Sequence, residues 1–145
     1  MDERDFFYRF GRLLYQIDGF YAEFAKKSGV KGNLLWILYA LNDGGQHSQK
    51  EICESWDLPR STVNTIIKQL EHDGHIRLLQ IKGEKRELYV QLTASGQQYA
   101  TELLSGLYRI EKQVYQAFDQ SPQGVLTALE TLHKLLVQTA YEREK

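Results

Sequence analysis

Apolar residues recur at Phe6, Phe10, Leu13, Ile17, Phe20 and Phe24, a spacing of four, three, four, three and four, with Phe7, Leu14 and Tyr21 beside them. This rhythm predicts a helix with one broad apolar stripe. Ser28-Gly29 stops it, and Gly32-Asn33 leads into a shorter helix, Leu34 to Leu41, which is apolar on most sides and therefore expected to be buried. Asn42-Asp43-Gly44-Gly45 ends that second helix. After Thr93 the helical spacing returns with Leu103, Leu107, Ile110, Val114 and Phe118. Ser121-Pro122 then closes one helix and opens the next, because serine is a good N-cap and proline suits a first turn. The last helix carries Val125, Leu126, Leu129, Leu132, Leu135 and Leu136 to the charged tail.

Between these long stripes the pattern shortens. Ser48-Gln49-Lys50-Glu51 reads as a capping box, with the Ser48 hydroxyl accepting from the third helical amide and Glu51 reaching back. The helix it opens uses Ile52, Cys53 and Trp56 as its inner side and halts at Asp57-Leu58-Pro59. A second helix is predicted from Arg60 to His72, stopped by Asp73-Gly74. At about 100° per residue, Val63, Ile66, Ile67 and Leu70 group on one side of it, and Ser61, Asn64, Thr65, Lys68 and His72 on the other. No carboxylate stands among those five outer residues, whereas a merely solvated helix usually mixes Glu with Lys. Two strands, Ile76 to Ile81 and Glu87 to Leu92, follow, with Leu88, Val90 and Leu92 on one face and a basic tip of Lys82, Lys85 and Arg86 around Gly83. Helix, turn, helix, hairpin is the order of a winged helix-turn-helix. The fold class expected is mainly α with a small β-hairpin wing.

Composition narrows the possibilities. With 145 residues, 42% of them apolar, the chain can fill a core, and only two prolines interrupt it, which favours helices. One cysteine makes no internal disulfide; no leader segment opens the chain and no apolar run approaches the roughly 18 residues that cross a bilayer, so a soluble cytoplasmic protein without membrane partner is expected. Lys and Arg number 18 against 19 Asp and Glu, yet Pro59 to Arg86 holds six basic residues and three acidic, leaving twelve against sixteen elsewhere. A locally cationic unit on an acidic body suits a polyanion such as double-stranded DNA. The terminal stripes are wider than mutual packing needs, and a second copy of the chain would cover the surplus. This predicts a homodimer in which 1–42 and 94–145 form one discontinuous dimerisation domain around a DNA-binding domain at 43–93.

The run LPRSTVNTIIKQLEHDGHI, Leu58 to Ile76, followed by GEKRELYVQLTASG, Gly83 to Gly96, resembles the MarR family of bacterial transcriptional regulators. The resemblance is specific in the middle fifty residues and follows the whole chain in helix order. It implies a homodimer with intertwined terminal helices and two recognition helices set about one DNA turn apart, roughly 34 Å, on a pseudo-palindromic operator. Arg60, Ser61, Thr62, Asn64, Thr65 and Lys68 would read or clamp the major groove, and Lys82, Lys85 and Arg86 the flanking backbone and minor groove. Arg86 takes the place of the wing arginine in the family's acidic-x-Arg-(x)5-Leu-Thr signature, with Glu84, Leu92 and Thr93 at its other points. Thr65 departs from the pattern, since many members carry arginine there. The resemblance further implies a repressor released by a small aromatic effector where the dimer helices meet the winged unit; Tyr15, Trp36 and Tyr39, with Tyr21 nearby, are candidates for that cleft, and ordinary core packing is the competing role for them.

Other constellations weigh less. Cys53 is expected to be buried, and flanking Glu51 and Glu54 disfavour a reactive thiolate. His72, Asp73 and His75 are split by Gly74 and make no fixed ligand pair, and His47 and His133 read as surface or satisfied polar residues. No phosphate loop, nucleophile elbow or ligand pattern points to an enzyme, a cofactor or a metal. The rival class is a winged protein-protein adaptor that contacts no DNA.

Overall fold

The computed structural model describes residues 1–80 and 88–142. Its elements are α1 (Glu3–Lys27), α2 (Gly32–Leu41), β1 (His47–Ser48), α3 (Gln49–Ser55), α4 (Arg60–His72), β2 (Ile76–Gln80), β3 (Leu88–Leu92), α5 (Ala94–Ala117) and α6 (Pro122–Glu142). The fold is the expected one, mainly helical with a small antiparallel sheet of the winged helix type. No described helix is long and apolar enough to cross a membrane.

The chain divides into two compact units, Met1–Leu107 and Tyr108–Lys145. The first holds the core. Leu35, Ile37, Leu38 and Leu41 of α2 are buried together with Ile52 of α3, Val63, Ile67 and Leu70 of α4, Ile76 and Val90 of the sheet, and Ala100, Leu104 and Leu107 of α5. α2 thus contributes four buried residues over ten positions, in keeping with its broad apolarity. Along α1, by contrast, only Ala25 is buried, near the C-terminal end, and Phe6, Phe7, Leu13, Leu14, Ile17 and Phe20 stay exposed.

The second unit comprises the rest of α5 and α6. Ser121 Oγ accepts the Gly124 amide at 3.0 Å and caps α6 as the Ser-Pro pair predicts. None of the α6 residues is buried.

The sheet runs in the order β1-β3-β2, with Ile76 paired to Leu92 and His47 to Val90. Sequence periodicity does not find β1, because two residues show no alternation. The face shared by Leu88, Val90 and Leu92 is not covered along its length: Val90 and Leu92 are buried and Leu88 is exposed, β1 reaching only to the Ser48–Tyr89 pair. Cys53 is half-buried instead of buried, since Ile52 alone of the α3 side chains turns fully inward.

Candidate nucleic-acid interface

The turn between α3 and α4 is built by local rules. Asp57 takes a left-handed backbone at φ 48°, which aspartate tolerates better than most residues, and the Leu58 amide returns to the Cys53 carbonyl at 3.0 Å. Pro59 then caps α4 without a side-chain acceptor, and the first turn holds no acid. At the other end Gly74, at φ 76°, lets the His75 amide reach the Leu70 carbonyl at 2.8 Å. The predicted bounds of this helix, Arg60 and His72, are those observed.

Val63, Ile67 and Leu70 anchor α4 in the core, so its opposite face is fixed outward. Arg60, Ser61, Thr65, Lys68 and His72 are exposed there, and Thr62 and Asn64 are half-buried at the margins. Thr65 Oγ1 donates to the Ser61 carbonyl at 3.0 Å, which commits its proton to the helix and leaves its oxygen as an acceptor. Lys82, Lys85 and Arg86, the predicted wing-tip contacts, lie outside the described residues.

The C-terminal end of α4 is locked to α5 by three hydrogen bonds. Thr93 Oγ1 donates to the Gly74 carbonyl at 2.6 Å and accepts the Gly96 amide at 3.0 Å, while the Thr93 amide donates to the His75 carbonyl at 3.0 Å. One threonine therefore caps α5 and ties it to the end of α4. Gly96 completes the joint: a Cβ there would be driven into the His75 carbonyl oxygen and sit 2.7 Å from its carbon.

The histidines and acids disperse instead of converging. The His75 ring stacks on Tyr99 at 4.5 Å and meets Ser95 Oγ at 3.1 Å, and Asp73 receives the Gln69 amide at 3.0 Å. Among the described residues no group of three His, Cys, Asp or Glu is placed to hold a metal ion. His47 has partners the sequence did not reveal. Its Nε2 lies 2.9 Å from Asp43 Oδ2 and its Nδ1 3.5 Å from Glu51 Oε1, so Glu51 turns toward His47 while its own amide donates to Ser48 Oγ at 3.0 Å.

Of the aromatic candidates, Tyr21, Trp36 and Tyr39 come together. Trp36 packs against Tyr21 at 4.7 Å, Trp56 at 5.1 Å and Tyr39 at 5.7 Å. A groove of about 480 Å³, bordered by Asp18, Lys31, Asn33, Trp36, Trp56 and Leu58, opens beside this cluster. Of the expected lining residues Trp36 alone borders that groove; Tyr39 does not, and Tyr15 is 82% exposed on α1. Trp56, which the sequence placed only on the inner side of α3, is the ring that joins the helix-turn-helix to α2.

Comparison with known proteins adds to this geometry. A profile of the MarR family matches residues 28–87. The HTH-type transcriptional regulator Hpr of Bacillus licheniformis is 28% identical over 103 residues, covering 71% of this chain and 43% of Hpr. The DNA-binding transcriptional repressor ScoC of Bacillus subtilis is 30% identical over 98 residues, 63% of this chain and 47% of ScoC. The chain spans less than half the length of these two relatives. The structure of NMB1585, a MarR family regulator from Neisseria meningitidis, superposes with a TM-score of 0.85 at 26% identity, covering 99% of each chain. With the profile falling on the helix-turn-helix and a family regulator matching from end to end, this chain is similar to MarR family regulators in sequence and in fold.

Proposed function

We propose that the chain is a transcriptional regulator, a repressor acting in the cytoplasm, that binds a pseudo-palindromic duplex as a homodimer. The observation that carries this is the outer face of α4, where Arg60, Ser61, Thr65 and Lys68 stand exposed with no acid in the first turn. Such a face meets phosphates without repulsion and offers donors and acceptors to base edges in a major groove. Thr62 and Asn64 flank it, and Lys82, Lys85 and Arg86 supply the wing contacts to backbone and minor groove. The helices of 1–42 and 94–145 serve dimerisation. Exposed Leu13, Ile17 and Phe20 on α1, and separately Leu126, Leu129 and Leu136 on α6, supply apolar surface that a second copy covers. The groove beside Trp36 and Trp56, with Lys31 at its edge, suits a small aromatic acid as effector.

Selection of bound fragments from random DNA, followed by gel shifts with the winner, tests this. Affinity falls steeply with salt because several phosphates are neutralised. Arg86→Ala weakens binding to all sequences alike, whereas Asn64→Ala costs about 1–3 kcal/mol and changes which sequence wins. Failure to retard any selected fragment, or binding indifferent to salt, overturns the proposal in favour of a protein-protein adaptor.

A further inference from the structure

The inner edge of the sheet is a short strand, and one of its two residues is ionisable. His47 of β1 pairs with Val90 of β3, and Ser48 beside it caps α3. The His47 imidazole is held between two carboxylates on different segments. Nε2 lies 2.9 Å from both oxygens of Asp43, in the turn after α2, and Nδ1 lies 3.5 Å from Glu51 in the first turn of α3. The His47 side chain is only 18% exposed, beside a cavity of about 300 Å³ bordered by Tyr39, Ile52 and Trp56. A neutral imidazole donates from one nitrogen and turns a lone pair to the other side. Carboxylates on both sides are matched only when both nitrogens carry protons.

Among the described residues, the titratable side chains bordering that cavity are Asp43, Glu51 and, from α2, Tyr39; β3 sets the apolar Val90 opposite, and Lys50 is turned to Glu54 at 3.9 Å. We propose that Asp43, His47 and Glu51 form a proton-operated clasp on the root of the wing, closed by the imidazolium and opened as pH rises, so that DNA affinity falls through the titration of His47. The affinity part rests on the DNA-binding function proposed above; the clasp itself does not.

The sign follows from linkage. Partial burial acts to lower the His47 pKa, but the Asp43 hydrogen bond and charge, then Glu51, outweigh it and hold it above the ordinary 6.5. A group raised on folding contributes stability that is present in full below its unfolded pKa and lost as pH rises through the folded value. Asp43 behaves in reverse. Its hydrogen bond to His47, above all, holds its carboxyl below the ordinary 3.8, so its contribution disappears as pH falls through the carboxylate range. The clasp therefore holds from weakly acidic conditions up to the raised histidine titration.

The test uses the full chain. Ring resonances of the four histidines are titrated by NMR, and thermal unfolding is followed from about pH 5.5 to 8.5 for wild type, His47→Gln and Glu51→Gln. DNA affinity is measured in a His72→Gln background, because His72 stands on the outer face of α4 that is proposed to meet the DNA. His47 is expected to titrate above 6.5, and the fall in Tm toward alkaline pH to shrink in both variants. Affinity should drop about threefold to tenfold between pH 6 and 8, a change lost on adding His47→Gln. Titration of His47 at or below 6.5, superimposable Tm profiles, or an unchanged affinity profile each overturns the proposal. If no DNA is bound at all, the regulator function fails, while the ring titration and Tm still decide the clasp. If His47→Gln does not fold, Glu51→Gln and the wild-type titration decide it.

Discussion

α2 and α6 are made of similar material, leucines and other aliphatic residues at helical spacing, and the chain treats them oppositely. Leu38 on α2 is 0% exposed, whereas Leu129 on α6 is 41% exposed and no residue of α6 is buried. The difference lies in the polar residues between the leucines. α2 has no charged residue from Gly32 to Leu41 and buries Leu35, Ile37, Leu38 and Leu41; α6 interleaves Gln123, Thr127, Glu130 and Lys134, which restrict its apolar character to a stripe. A stripe specifies a face that must be covered without specifying what covers it. The homodimer proposed above supplies that cover.

The sharpest way to break this comparison is to cut both helices. Leu38→Ala leaves a cavity in a closed core, and denaturant titration should show a loss of about 2–5 kcal/mol. Leu129→Asp should leave the first unit folded by circular dichroism but dissociate the assembly, so that sedimentation at micromolar concentration changes from about twice 16.9 kDa to that mass itself. Equal sedimentation of Leu129→Asp and wild type would remove the distinction between the two helices.

The joint between α4 and α5 sharpens the same contrast on a finer scale, because there the core is closed by backbone. Gly96→Ala places a methyl group against the His75 carbonyl, which accepts the Thr93 amide at 3.0 Å and cannot swing aside; an unfolding free energy lower by about 1–3 kcal/mol is expected. Thr93→Val keeps the shape but removes the α5 cap and the bond to Gly74, for a loss of about 1 kcal/mol by the same measurement. A Thr93→Val loss exceeding that of Gly96→Ala would mean that hydrogen bonding, and not close approach, holds the joint.

Legibility followed the range of the interactions involved. The bounds of α4, the Ser48 cap, the left-handed Gly74 and the Ser121 start of α6 were all readable, because each is set by residues within one helical turn of the feature. The outer face of α4 was readable too, since periodicity fixes which residues share a side. The strand β1, the exposure of Leu88 and the partners of His47 were not. Each depends on which distant segment lies alongside, and two residues carry no periodicity from which to infer it. The aromatic candidates divided in the same way: Trp36 and Tyr39 are one helical turn apart and meet, whereas only packing between helices brings Trp56 to them and leaves Tyr15 on the surface.

From residue order alone came the helices, their stops, the hairpin and the location of the cationic face, because backbone sterics, capping and apolar repeat act over a few residues. Tertiary structure decided that Gly96 must lack a side chain, that Thr93 serves two helices, and that Asp43 and Glu51 enclose one imidazole. Those are matters of atoms meeting across the fold, and no local repeat in the chain encodes the distance between them.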